Sequence, residues 1–138
     1  MSEAPTSGAP ARSDVRTIAL IAYGLFLLAL VNGITAVAGA VLLHVRRDEA
    51  RGTLWESHFR NLISVFWTCV VVAAVLLAIL LSGVFYGLVV TDGHPPDAWV
   101  GGLFVALPLL WLGGVGYFVW YLYRVVGGFI RALDGKAY

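Results

Sequence analysis

The stretch Asn61–Thr91, NLISVFWTCVVVAAVLLAILLSGVFYGLVVT, runs for 31 residues without a charged side chain. As a helix rising 1.5 Å per residue it would measure roughly 46 Å, against about 30 Å for the hydrocarbon core of a bilayer. It reads as a transmembrane helix over about residues 61–90, tilted or with one end among the headgroups. Near its far end Gly83 and Gly87 form a G-x-x-x-G pair, a spacing that lets a second helix approach closely.

Two further uncharged runs flank it. Thr17–Leu43 gives a first span over residues 17–43, interrupted by Asn32, Gly33 and Thr35. Asn32, Ala36 and Ala40 fall at i, i+4 and i+8 beside Thr35 and Gly39, a small-residue face suited to helix packing. The same residues also fit a kink or a polar site facing a cavity, or a break at Asn32–Gly33, since Gly costs a helix about 1 kcal/mol. Leu103–Tyr123 gives a third span over residues 103–123, thinned by Gly113, Gly114 and Gly116, with Pro108 as a kink or first-turn residue. Trp99 precedes it and Trp120, Tyr121 and Tyr123 close it, aromatics of the kind that settle at headgroup level.

The intervening segments are polar. Residues 1–16 are rich in Ser, Ala, Pro and Gly and are expected to be a disordered tail. Residues 44–60 form a first loop, with Gly52 as turn residue and Ser57 as N-cap of the second span. Residues 92–102 form a second loop around Pro95-Pro96. Arg124–Tyr138, with Phe129, Ile130, Leu133, Arg131 and Lys136, reads as a short amphipathic segment weakened by Gly127 and Gly128.

Composition agrees. The chain is 60% hydrophobic and 12% charged, with a mean hydropathy of +0.88. A soluble domain carries roughly 25% charged residues, so the apolar surface calls for lipid. The expected fold class is an all-α membrane protein with about three transmembrane helices, residues 17–138 forming a single helical domain. A net charge of +1 leaves no basic footprint for nucleic acid. Cys69 is the only cysteine, which excludes an internal disulfide, and its apolar neighbours make it a small buried hydrophobe. A secretory signal does not fit: the first apolar run is too long, and Glu3 and Asp14 mix with Arg12 and Arg16 before it.

Basic residues orient the spans. The first loop carries Arg46, Arg47, Arg51 and Arg60, the C-terminal segment Arg124, Arg131 and Lys136, and the second loop none. With three spans the first loop and the C-terminus share a side, which the positive-inside rule makes cytoplasmic in a bacterial inner membrane. The N-terminus then lies outside, against the two arginines of its tail. A re-entrant hairpin in the first run would bring it to the cytoplasmic side.

Around the start of the second span, Gly52-Thr53-Leu54-Trp55-Glu56-Ser57-His58-Phe59-Arg60, followed by Phe66-Trp67, resembles a family of small bacterial inner-membrane proteins sometimes grouped with the Tic-type channel subunit of the chloroplast inner-envelope importer. Tyr123-Arg124 and Leu133-Asp134-Gly135-Lys136 agree, so the likeness extends from about Tyr23 onward. Members often carry more polar or basic residues just after the arginine, where this chain has Asn61-Leu62-Ile63-Ser64. The resemblance implies a helical membrane protein and no established activity.

The candidate site is Ser57, His58, Arg60 and Arg124. Glu56 suits the helix start. Arg60 and Arg124, expected at one depth, suit an anionic lipid headgroup; snorkelling and a loop ion pair to Asp48, Glu49 or Glu56 is the plainer reading. His44 and His58 flank the first loop, as interfacial residues or as a haem or metal pair. Ser64, Thr68 and Ser82 are spread along a helix rather than gathered at one base, and no phosphate-cradling loop or H-E-x-x-H occurs. The spans hold no ionisable Asp, Glu, Lys or Arg for transport. The expected role is non-enzymatic and without cofactor: a structural or interaction component packing on itself or on a membrane-protein partner. The alternative is an oligomeric channel or transporter component.

Overall fold

A computed structural model describes residues 12–85 and 97–138. Among them every regular element is helical: α1 (Arg12–Asn32), α2 (Ile34–Val45), α3 (Arg47–Ala50), α4 (Trp55–Phe85) and α5 (Asp97–Leu133). Gly87 and most of the expected N-terminal tail and second loop lie outside the described residues. Among the described residues two helical segments are long and apolar enough to cross a membrane, Asp14–Asn32 and Trp55–Gly83.

The first uncharged run is broken. Gly33 adopts φ +68°, a left-handed conformation that L side chains avoid, and reverses the chain. The Asn32 Oδ1 accepts from the Thr35 backbone N–H at 3.2 Å and from the Thr35 hydroxyl at 3.2 Å, capping the returning helix. α2 then folds back along α1. Gly39 meets Phe26 and Leu25, and a Cβ there would stand 3.0 Å from the Phe26 ring. Gly39, Ala40 and Leu43 are the buried residues of α2. At 12 residues, roughly 18 Å, α2 is too short to cross a bilayer alone.

Other boundaries move as well. α1 begins at Arg12, inside the stretch expected to be disordered, because Val15 is buried and the Arg16 guanidinium donates to the Leu133 carbonyl at 3.2 Å. That bond sets the start of α1 beside the end of α5. α4 starts at Trp55, six residues before the uncharged run. α5 starts at Asp97, inside the expected second loop, and continues through Pro108, Gly127 and Gly128 to Leu133. Residues 124–133 are therefore the continuation of α5 and not a separate surface segment.

The described residues gather into two compact units. The first joins the residues before Trp67 to Tyr123–Tyr138. Its core is built from helical stripes: Val15, Ala19, Ala22, Tyr23 and Phe26 on α1; Trp55, His58, Phe59, Leu62 and Val65 on α4; Val125 and Ala132 on α5. The second unit, Trp67–Leu122, leaves its apolar side chains outward, among them Val71, Leu77, Leu80, Trp111, Leu112 and Val119.

Candidate functional site

The turn into α4 is capped from Thr53 rather than Ser57. The Thr53 hydroxyl accepts from the Trp55 N–H at 3.2 Å and donates to the Ala50 carbonyl at 2.7 Å. Three residues on, the Glu56 carboxylate reaches back to the Gly52 N–H at 3.0 Å. Gly52, at φ +70°, makes the reversal between α3 and α4. Ser57 is thus already inside the helix. Its hydroxyl donates to the Leu54 carbonyl at 2.8 Å and accepts from the Tyr138 N–H at 3.0 Å. The loop acids pair locally, Glu49 with Arg46 at 2.6 Å and Asp48 with Arg51 at 3.2 Å. Among the described residues, none forms the ion pair with Arg60 that the sequence suggested.

Behind this loop lies a buried polar cluster. His58 is fully buried between Trp55, Tyr23 and Tyr138. Its Nε2 lies 2.8 Å from the Lys136 carbonyl, which only accepts, so Nε2 carries the proton. The neutral ring's Nδ1 then accepts from the Tyr23 hydroxyl at 3.0 Å. Asn61 donates through Nδ2 to the Tyr23 hydroxyl at 3.4 Å and to the Arg124 carbonyl at 3.3 Å. Four segments are tied by these bonds: α1, α4, α5 and the chain after α5.

That last segment is aimed by a helix terminus of the Schellman type. Gly135 takes φ +67°; its N–H donates to the Ala132 carbonyl at 3.2 Å and the Lys136 N–H to the Arg131 carbonyl at 2.9 Å. The reversal returns Lys136 to His58 and Tyr138 to Ser57. Gly128 makes the cluster's room on α5, since a Cβ there would overlap the Tyr23 hydroxyl and ring.

Outside the buried cluster is a cationic surface. Ser57, Arg60, Asn61, Ser64, Arg124 and Tyr138 line a cavity of about 300 Å³. Tyr123, Arg124, Gly127, Arg131 and Tyr138 line a second, of about 320 Å³. The Tyr138 ring stands against both outer arginines, with the Arg124 guanidinium 5.2 Å and the Arg131 guanidinium 5.8 Å from its centroid. Among the described residues no Asp or Glu lines either cavity.

Ser57, Arg60 and Arg124 are brought together as the sequence suggested, whereas His58 is sealed behind them. Asn61, Ser64, Tyr23 and Tyr138 were missed. The signal was present: Ser57, Arg60, Asn61 and Ser64 fall at i, i+3, i+4 and i+7, a polar stripe entering an apolar helix. His44 is exposed and bonds the Ala40 carbonyl through Nδ1 at 2.8 Å. With both ring nitrogens of His58 engaged, the two histidines do not form a ligand pair in this arrangement. Among the described residues there is no group of three or more His, Cys, Asp or Glu placed to hold a metal.

In the second unit, the Cys69 thiol meets the Tyr117 hydroxyl. Gly113 and Gly114, with Val72, Leu76, Ile79, Leu110 and Tyr117, line an open apolar groove of about 540 Å³. Gly83, Gly113 and Gly116 have open space where a Cβ would stand. Ala36 is half-buried on α2. Comparison with known protein families, curated proteins and solved structures gave no match.

Proposed function

We propose that this chain is a non-enzymatic integral protein of a bacterial inner membrane whose cytoplasmic face holds anionic phospholipid headgroups. The observation that carries the reading is the cavity lined by Ser57, Arg60, Asn61, Ser64, Arg124 and Tyr138, with two guanidiniums, two serine hydroxyls and, among the described residues, no carboxylate side chain. Elsewhere the helices carry apolar side chains outward, Leu80 at 62% and Trp111 at 69% exposure. Such a surface is suited to lipid, and Arg forks suit phosphate oxygens.

In the proposed topology α1 and α2 enter and leave on one side as a re-entrant hairpin, α4 crosses, and α5 crosses back over residues 103–123. All nine Lys and Arg residues then fall on one side, because residues 61–123 contain none. This resolves the conflict that the tail arginines pose for a simple three-span arrangement. In a Cys69→Ala background, Ser7→Cys and Ala50→Cys are expected to react with an impermeant maleimide only from the cytoplasmic side, and His94→Cys only from the other. Labelling of Ser7→Cys from the outside would remove the hairpin from this topology.

The headgroup site is tested by purification in mild detergent from a bilayer mixing phosphatidylcholine and phosphatidylglycerol. The wild type is expected to retain phosphatidylglycerol at several times its share of the bilayer. Arg60→Gln with Arg124→Gln is expected to bring retention back to that share, with unchanged helical content. Equal retention by wild type and double variant would sink the reading. The open glycine face at Gly113 and Gly116 supports a structural role, since it lets a second copy or a membrane partner approach closely.

A further inference from the structure

The two cationic cavities share Arg124 and Tyr138. Arg60 lines the first of them and Arg131 the second, so each cavity has two guanidiniums in its wall. Tyr138 lines both cavities. It packs with the guanidiniums of Arg124 and Arg131, which places their central carbons no more than about 11 Å apart. The ring's placement follows from bonds already described: the Gly135 reversal and the Tyr138 N–H donating to Ser57. A single phosphate needs only one such cavity. Two adjoining cavities, similar in volume and sharing their central cation, match a ligand with two phosphates joined by a short linker.

We propose that this paired site takes a lipid with two phosphodiesters on one bridging glycerol, a cardiolipin-type diphospholipid. One phosphate sits between Arg60 and Arg124 and the other between Arg124 and Arg131, with the linker passing the Tyr138 edge. The inference rests on the headgroup reading above and adds the class of lipid. Basic pockets among membrane helices on the cytoplasmic side are suited to such headgroups. The acids nearest in sequence do not oppose it. Asp134 is paired with Lys136 at 3.3 Å, and Glu56 is bound to the Gly52 N–H.

The test is native mass spectrometry of the full chain in detergent, with cardiolipin and phosphatidylglycerol compared at equal phosphate. Inorganic pyrophosphate serves as the soluble competitor. The wild type is expected to favour cardiolipin at least tenfold. Arg131→Gln is expected to reduce that preference to less than threefold while phosphatidylglycerol binding stays within twofold, and Arg131→Lys to restore part of it. Equal binding of the two lipids by the wild type would overturn the paired site and leave the headgroup reading standing. Absence of binding to either lipid would overturn both. Displacement of cardiolipin by equimolar pyrophosphate would overturn the lipid assignment in favour of a soluble diphosphate.

Discussion

His58→Phe is expected to lower the unfolding free energy by about 2–6 kcal/mol, because it deprives the Tyr23 hydroxyl of its acceptor and the Lys136 carbonyl of its donor at once, at roughly 1–3 kcal/mol each. Phenylalanine preserves an aromatic ring in the space between Trp55, Tyr23 and Tyr138. It cannot accept from the Tyr23 hydroxyl or donate to the Lys136 carbonyl. His58→Gln retains an acceptor and a donor on one side chain and is expected to lose less. The measurement is reversible unfolding in mixed micelles titrated with a denaturing detergent. A cycle of Tyr23→Phe and His58→Phe should show a coupling of about 1 kcal/mol, as expected for groups in direct contact. Hydrogen exchange adds a local readout, because the Tyr138 N–H is held to Ser57 only while the returning segment stays docked. If His58→Phe leaves both stability and this exchange rate unchanged, the buried cluster does not hold the segments together.

Much of the architecture could be read from the distribution of charge. Uncharged runs of this length, in a chain with so few charges, dictate apolar helices, and they appear in α1, α4 and α5. The extent of those helices could not be read in the same way. Charge marks where a helix can enter lipid, whereas helix ends follow capping chemistry. α4 begins six residues before its uncharged run because the Thr53 hydroxyl takes the Trp55 N–H and Glu56 takes the Gly52 N–H there, partners that a T-x-x-E spacing makes legible in the sequence ahead of Ser57. The Gly33 reversal was left open by the sequence for a physical reason. Asn-Gly in an apolar run fits a kink, a packing face or a turn, and the choice depends on Gly39 finding Phe26 across the hairpin, a tertiary contact. The same holds at the site. Arg60 and Arg124 were brought together by a depth argument that needs only helix length. The partners of His58 come from α1 and from residues after α5, 35 and 78 positions away in the chain. No local pattern encodes those distances, although an isolated Tyr and Asn inside apolar runs signalled that some buried polar bond had to exist.

The glycines of α5 give a sharper test of that tertiary contact, because two neighbours are expected to respond with opposite signs. Gly127 and Gly128 both lie inside a continuous helix, where replacement by Ala is favourable by up to about 1 kcal/mol on propensity alone. At Gly127 nothing stands within 4 Å of the Cβ position, so Gly127→Ala should leave stability unchanged or raise it. At Gly128 the same methyl would overlap the Tyr23 hydroxyl and ring. That side chain cannot yield freely, since its hydroxyl is bonded to His58 and Asn61. Overpacking of this kind costs about 1–3 kcal/mol, and Gly128→Ala is expected to lose that much. A larger residue such as Leu should separate α1 from α5 and abolish the cooperative transition. Combining Tyr23→Phe with Gly128→Ala should cost less than the sum of the single changes, because the hydroxyl nearest the new methyl is gone. Similar effects at the two glycines, or strict additivity in the double variant, would show that α1 does not rest on α5 through Tyr23. The docking of the α1–α2 hairpin would then need another anchor.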